Sequence, residues 1–312
     1  MAFPELRSSF LLSFFLSFLF FCASLWAADK ASAQEATYLG TEVCTTCHNV
    51  SHATFSETMM GRIFFNAPRT RLEARGCEAC HGPGSNHITA AMAGAEDKAI
   101  ITFRDESPES VAEHNAICLA CHESGVQMHW RGSQHDFADL SCAGCHTIMR
   151  RVSPSMQLSK ETEFETCSQC HTKQRAQQRR FSRHPTREGK VLCSDCHNPH
   201  GGPGGVLVKN TVNETCYQCH AEKRGPYLWE HQPVREDCGY CHDPHGTTQP
   251  AMLVVRGPFL CQSCHSLGHA GGLRTGSQLA SPASQFTAGK NCMNCHSRIH
   301  GSNHPSGTGL TR

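Results

Sequence analysis

Ten copies of one unit, Cys-x-x-Cys-His, run through the 312 residues and leave little freedom for an ordinary fold. Two stand close together in CSDCHNPHGGPGGVLVKNTVNETCYQCHAEKRGPYLWEH, from Cys193 to His231. The unit is the attachment signature of c-type haem: its two thiols add across the porphyrin vinyl groups, and the adjoining imidazole becomes an axial ligand of the iron. The cysteine pairs are Cys44 and Cys47, Cys77 and Cys80, Cys118 and Cys121, Cys142 and Cys145, Cys167 and Cys170, Cys193 and Cys196, Cys216 and Cys219, Cys238 and Cys241, Cys261 and Cys264, and Cys292 and Cys295. Of 21 cysteines only Cys22 lies outside a motif. Zinc ribbons do not require a His after every second Cys, a disulfide framework does not require a fixed tripeptide spacing, and thioredoxin-like motifs sit once per domain on a βαβ unit that has no counterpart here. Ten covalently attached haem c groups are therefore expected, and the pairing of ETCSQCHTKQR with ETCYQCHAEKR marks internal duplication.

Of 22 histidines, ten close the motifs: His48, His81, His122, His146, His171, His197, His220, His242, His265 and His296. Twelve remain for ten distal positions, and their spacing is regular. After odd-numbered motifs a candidate falls 11 to 13 residues on, as at His135, His184 and His231. After motifs six and eight it falls three residues on, at His200 and His245. His87, His269 and His300 follow motifs two, nine and ten by six, four and four residues, with His304 competing with His300. Two slots hold methionine: Met60, twelve after His48, and Met149, three after His146. Methionine is a competent ligand that raises a haem's reduction potential, so His/Met ligation is expected at haems one and four. His52, His129 or His114 are the alternatives, although His114 reads as a surface residue. Spacing does not say whether a distal residue serves its own haem or a neighbour's.

Residues 1–33 read as a secretory signal, with Arg7, an apolar stretch from Phe10 to Phe21 and a small-residue cleavage site at Ala31-Ser32-Ala33. An uncleaved anchor is the competing reading. Residues 34–312 form one decahaem domain of repeated two-haem units, clearest over 142–269. With 38% apolar and 7% aromatic residues the chain is poor in ordinary core, so the porphyrins must supply it. The fold class expected is a multihaem cytochrome c, mostly irregular, with short α-helices around the motifs and little or no sheet. One helix should begin at Ser107-Pro108-Glu109 and run through Val111 to His122, and a second should cover Thr162 to about Arg180. Breaks are expected at Gly82-Pro83-Gly84, Gly201 to Gly205 and Gly268 to Gly276, with GSNHPSGTG as a terminal loop.

The polypeptide's formal charge of +1 would turn acidic once porphyrin propionates are added. The basic run Lys173, Arg175, Arg179, Arg180, Arg183, Arg187 and Lys190 then has carboxylates to pair with; a solvated face is the plainer reading, and nucleic acid is not an expected partner. No paired carboxylates, Ser-His-Asp set or nucleotide loop points to catalysis. A multihaem reductase of nitrogen compounds would need an iron with an open position, and all ten motifs end in His.

In CEACHGPGSNH (Cys77 to His87), CSDCHNPHG (Cys193 to Gly201), NETCYQCHAEKRGPYLWEH (Asn213 to His231) and CHSRIHGSNHPSG (Cys295 to Gly307), the chain closely resembles the MtrA/DmsE family of periplasmic decahaem cytochromes, which includes MtoA and PioA. The resemblance covers essentially the whole chain after the signal. It implies an elongated haem wire seated in an outer-membrane β-barrel porin. Such a wire exchanges electrons between periplasmic or inner-membrane cytochromes and an extracellular multihaem cytochrome, terminal reductase or donor. Metal oxide, ferrous iron and dimethyl sulfoxide respiration would all use it. The family generally has His where this chain has Met60 and Met149, so all-bis-His ligation does not carry over. A soluble electron-storage cytochrome is the competing function.

Overall fold

The computed structural model describes residues 35–95, 100–104, 106–265, 291–305 and 307–311. The signal segment 1–33, His269 and the Gly268–Gly276 break lie outside them. Two compact units are present: the chain up to Cys47 with Thr70–Ile101, and His48–Arg69 with Thr102–Arg312. Both are built from short helices and turns, as expected for a multihaem cytochrome c. The longest described helix is Pro108–Leu119, and the sheet is a single antiparallel pair, β1 (His197–Gly202) and β2 (Gly205–Leu207). No helix among the described residues is long and apolar enough to cross a membrane.

The helix expected at Ser107 starts there. The Ser107 hydroxyl accepts from the Ser110 N–H and Pro108 fills the first position, where its missing N–H costs nothing. It ends at Leu119, short of the expected His122, and the motif residues continue as a turn with the His122 N–H on the Cys118 carbonyl at 3.0 Å. Its inward face is Val111, His114, Asn115 and Leu119, all buried at helical spacing. His114 is therefore not a surface residue: it is 5% exposed, and its ring lies 4.7 Å from that of Phe103.

The second expected helix is two. Glu163–Cys167 begins in a reciprocal cap, with Thr162 Oγ1 accepting from Glu165 N and the Glu165 carboxylate accepting from Thr162 N. Thr172–Gln177 follows after a break inside the motif. The physical reason is the proximal histidine, which leaves helical dihedrals at φ −80, ψ 61 in His171. Its counterparts His48 (φ −107, ψ 38) and His220 (φ −104, ψ 46) do the same.

Gly201 to Gly205, expected as a break, is instead the bend of the β1–β2 hairpin, with Gly201 at φ 88 and Gly205 at φ 71. At Gly201 a Cβ would run into the His129 carbonyl oxygen, so glycine is required twice over. The segment from Gly301 is a loop as expected, but a pinned one: Trp229 and Ser302 exchange two backbone hydrogen bonds of 2.9 Å.

Five apolar side chains are buried among the described residues, namely Phe55, Val111, Leu119, Trp130 and Leu310. Buried polar side chains do much of the tying instead. Asn115 donates to the Leu140 carbonyl and accepts from the Cys142 N–H, both at 2.9 Å. Asn213 repeats the device, donating to the Val234 and Arg235 carbonyls and accepting from Cys238 N–H at 2.7 Å. Each asparagine precedes the first cysteine of an odd motif by three residues and grips the first cysteine of the next even motif. At motif five the grip passes to Glu163, which accepts from the N–H and hydroxyl of Ser194 at 2.7 and 2.8 Å.

Candidate functional site

Six pairs of imidazoles face each other in the larger unit. Ring centroids are 6.0 Å apart for His135 and His171, 6.1 Å for His146 and His200, and 6.3 Å for His184 and His220. They are 5.8 Å apart for His197 and His245, 6.0 Å for His231 and His265, and 6.2 Å for His242 and His300. Direct ring stacking would bring them closer. Two metal–nitrogen bonds of about 2 Å, with about 1 Å from nitrogen to ring centre on either side, give about 6 Å. Each pair therefore has the separation of two axial ligands on one iron.

Every pair joins one motif histidine to one histidine outside the motifs, and the order is regular. His135, after motif three, faces motif five; His184, after motif five, faces motif seven; His231, after motif seven, faces motif nine. His200, after motif six, faces motif four; His245, after motif eight, faces motif six; His300, after motif ten, faces motif eight. Odd slots thus reach forward by two motifs and even slots reach back by two.

Two expectations change. His146 faces His200, so Met149, 39% exposed, is not the residue opposite the fourth motif's histidine, and neither is His129 or His114. His300 faces His242 and not the tenth motif's own His296. Among the other candidates, His52 lies on the helix Asn49–Ser56 with its ring 4.6 Å from Phe65. His87 is half-buried on the helix Ser85–Met92, and His304 is exposed, its N–H on the Ser302 hydroxyl.

The ring nitrogens are set for metal binding. The Nδ1 atoms of His81, His146, His197, His242 and His296, the histidines of the five even motifs, meet the carbonyls of Ile101, Met156, Val206, Ala251 and Gly309 at 2.8, 2.9, 3.1, 2.8 and 2.5 Å. A carbonyl can only accept, so the proton sits on Nδ1 and Nε2 is left as the donor atom for a metal. His135 and His184 are held the same way by Pro199 and Pro244, at 2.8 and 2.9 Å. Burial, aided by the facing imidazole, lowers the pKa of His200 and His231. Burial does the same for His300 with help from Lys223, and for His245 against the pull of Asp243. In all four the shift favours the neutral form that a metal ligand needs.

The thiols line up between neighbouring motifs. A hydrogen bond to Cys118 raises the Cys142 pKa, one to Cys193 raises that of Cys167, and one to Cys238 raises that of Cys216. Burial with the nearby Cys292 and Cys77 raises Cys261 and Cys44. These contacts join the first cysteines of each odd–even pair of motifs. The second cysteines join motifs four, six and eight to the next odd one: burial and the neighbouring thiol raise Cys145 beside Cys170 and Cys241 beside Cys264, and burial, Asp195 and Cys219 raise Cys196. Sulfur thus adjoins sulfur continuously from motif three to motif ten.

Glu163, Cys167 and Cys193 come within metal-ligand distance of one another. They do not make a zinc site, because Ser194 occupies both carboxylate oxygens and the two thiols belong to separate attachment motifs. The donor set instead fits haem c: paired thiols, an imidazole after each, opposed imidazoles at the right separation, and apolar side chains such as Phe137, Leu192, Tyr240 and Phe259 left exposed beside the motifs.

Two residues of the basic run are held by partners within the fold itself. Arg183 forks onto Glu188 at 2.7 and 2.8 Å, and that hydrogen bond pulls the glutamate to about 2. Arg180 donates to the Gly246 carbonyl.

Comparison with known proteins agrees with this geometry. The doubled CXXCH motif model matches residues 184–225 and 231–269, and the NrfB-like cytochrome c-type protein model matches 77–167. The multiheme cytochrome MtrA of Shewanella baltica is 44% identical over 280 residues, covering 88% of this chain and 81% of that protein. The chain belongs to the MtrA family of multihaem cytochromes. A more distant relative, the cytochrome c-type protein NrfB of Haemophilus influenzae, is 29% identical over 101 residues, covering 31% of this chain and 44% of that one. As an MtrA-family member the protein binds haem c and transfers electrons; it is not an enzyme.

The latches Asn115, Asn213 and Glu163 were absent from the residues expected to matter. The shared NAIC and NETC strings before motifs three and seven held the signal for the first two.

Proposed function

We propose that the chain is a periplasmic decahaem cytochrome, exported by the segment 1–33, that conducts electrons across the outer membrane inside a β-barrel porin. Its partners on one side would be periplasmic or inner-membrane cytochromes, and on the other an extracellular multihaem cytochrome or terminal reductase. The observation that carries this reading is the set of six imidazole pairs at 5.8–6.3 Å, laid down motif after motif. At those six pairs both axial positions would be filled by protein, leaving no iron site for a substrate there, which suits outer-sphere electron transfer and not catalysis.

Bound haem c supplies the one-electron couples. The chain does the rest. Each Cys pair would hold one porphyrin edge, and the adjoining sulfurs would bring neighbouring edges together. The carbonyls of Pro199, Pro244, Met156 and Val206 hold imidazole rings at Nδ1 and so fix their orientation. With haem bound, each of the six crossed histidine pairs would clamp two separated parts of the chain together, which would stand in for apolar burial as a source of stability.

No helix among the described residues is long and apolar enough to cross a membrane, and a closed barrel is the other backbone-satisfied way through. Reconstitution tests this. Vesicles enclosing a reduced dye, and carrying the chain with its co-purifying barrel, should pass electrons to an external acceptor. The chain co-purifying with no barrel and conducting nothing would leave a soluble storage cytochrome.

A further inference from the structure

The forward-reaching rule has one odd slot that it fills without histidine. His135, His184 and His231 follow motifs three, five and seven by 11 to 13 residues, and each faces the motif two further on. The same slot after motif one is Met60, twelve after His48. Two further motifs on is motif three, with His122. Among the described residues, His122 has no imidazole at the 5.8–6.3 Å shown by the six pairs.

The local structure around Met60 repeats that around His135. Ser133 caps the helix Gln134–Phe137 by accepting from Asp136 N–H, and His135 is the second helical residue. Thr58 caps the helix Met59–Asn66 by accepting from Gly61 N–H at 3.0 Å, and Met60 is the second helical residue. A hydroxyl two positions before the ligand recurs at Ser182 and His184. Thr58 is 2% exposed and also donates to the Phe55 carbonyl, so this turn is held firmly. Of the adjacent methionines, Met59 points to solvent at 74% exposure while Met60 is half-buried. His52, the nearby alternative, has its ring against Phe65.

We infer that Met60 is the axial ligand opposite His122, making the haem tethered by Cys118 and Cys121 a His/Met centre. The inference rests on the haem-wire reading above. It also moves Met60 from the first haem to the third. A thioether donor in place of imidazole raises that centre's potential above its bis-His neighbours, so electrons would reside there preferentially.

The test uses the full holoprotein carrying 13C-methyl methionine. In the ferrous state one methyl should be shifted strongly upfield by a porphyrin ring current, and show Overhauser contacts to the porphyrin held by Cys118 and Cys121. Met60→Leu should erase that resonance and Met59→Leu should keep it. Met60→His should remove one Met-ligated near-infrared band from the ferric protein and lower one midpoint potential, with haem content unchanged. A Met60 methyl at an ordinary shift in haem-loaded protein, or contacts to the Cys44–Cys47 porphyrin, would overturn the assignment alone. Protein without covalent haem would overturn the underlying reading as well.

Discussion

His197 and His245 lie with ring centroids 5.8 Å apart and planes within 10° of parallel. One belongs to motif six and the other follows motif eight, so the contact ties two repeats together across a single expected iron. The same crossing at His146 and His200, and at His242 and His300, makes each repeat incomplete without another. It leads to predictions for the ligands, the turns that aim them and the latches beneath.

Removing a distal imidazole should open one iron. His200→Ala and His245→Ala should each convert one haem from low-spin to high-spin and create one carbon-monoxide-binding site in the ferrous protein. The double variant should show two. Electron paramagnetic resonance and gas titration check this; a spectrum unchanged in His200→Ala would mean that another residue holds the iron at His146.

Gly201→Ala should disturb the same haem without touching a ligand. Its φ of 88 disfavours any side chain, and the added Cβ meets the His129 carbonyl oxygen. A strain of about 1–2 kcal/mol at the turn, plus the clash, should shift His200 and yield partial high-spin character at the haem of His146. Gly246, at φ 125 beside the Gln177 carbonyl and following His245, should behave alike at the haem of His197.

Asn213→Ala should destabilise without altering ligation. It strands the Cys238 N–H and two carbonyls in a site where Asn213 is 6% exposed. At about 1–3 kcal/mol for unsatisfied buried groups, and about 2–4 °C per kcal/mol for a unit of this size, Tm should fall by about 2–12 °C. Asn213→Asp keeps the acceptor for Cys238 and should recover part of the loss. Calorimetry beside an unchanged Soret spectrum separates stability from ligation.

Glu78 should make the smaller unit acid-sensitive. Burial pushes its carboxyl up, but the N–H groups of Leu39, Gly40 and Gly84, with Arg75, outweigh that and hold its pKa below the ordinary range. A lowered folded-state pKa contributes stability that is fully present above the unfolded value of about 4.3 and is lost as pH falls through the folded value. Amide exchange at Leu39, Gly40 and Gly84 should therefore accelerate, relative to unprotected amides, as pH drops below about 4. In Glu78→Gln exchange should be faster at neutral pH and lose that dependence.

The chemistry of this protein was legible in the sequence because covalent haem attachment demands a fixed peptide string. Ten such strings name twenty cysteines and ten histidines without reference to folding. The start of the helix at Ser107 was legible for a similar reason, since a cap is a local event. What lay beyond reach was non-local. Spacing located His135, His184 and His200, but only the folded chain shows them facing His171, His220 and His146. His114 read as surface because nothing in its neighbourhood says that the helix turns it in beside Val111 and Asn115. The Thr162 helix read as continuous because propensity does not register that His171 must leave helical dihedrals.

The whole account depends on haem c bound covalently at every motif. Intact mass of the exported protein, with a pyridine haemochrome assay after denaturation, measures this directly. The expected result is ten haems per chain, retained through denaturation; a mass equal to the bare polypeptide, with no covalently held chromophore, would contradict it.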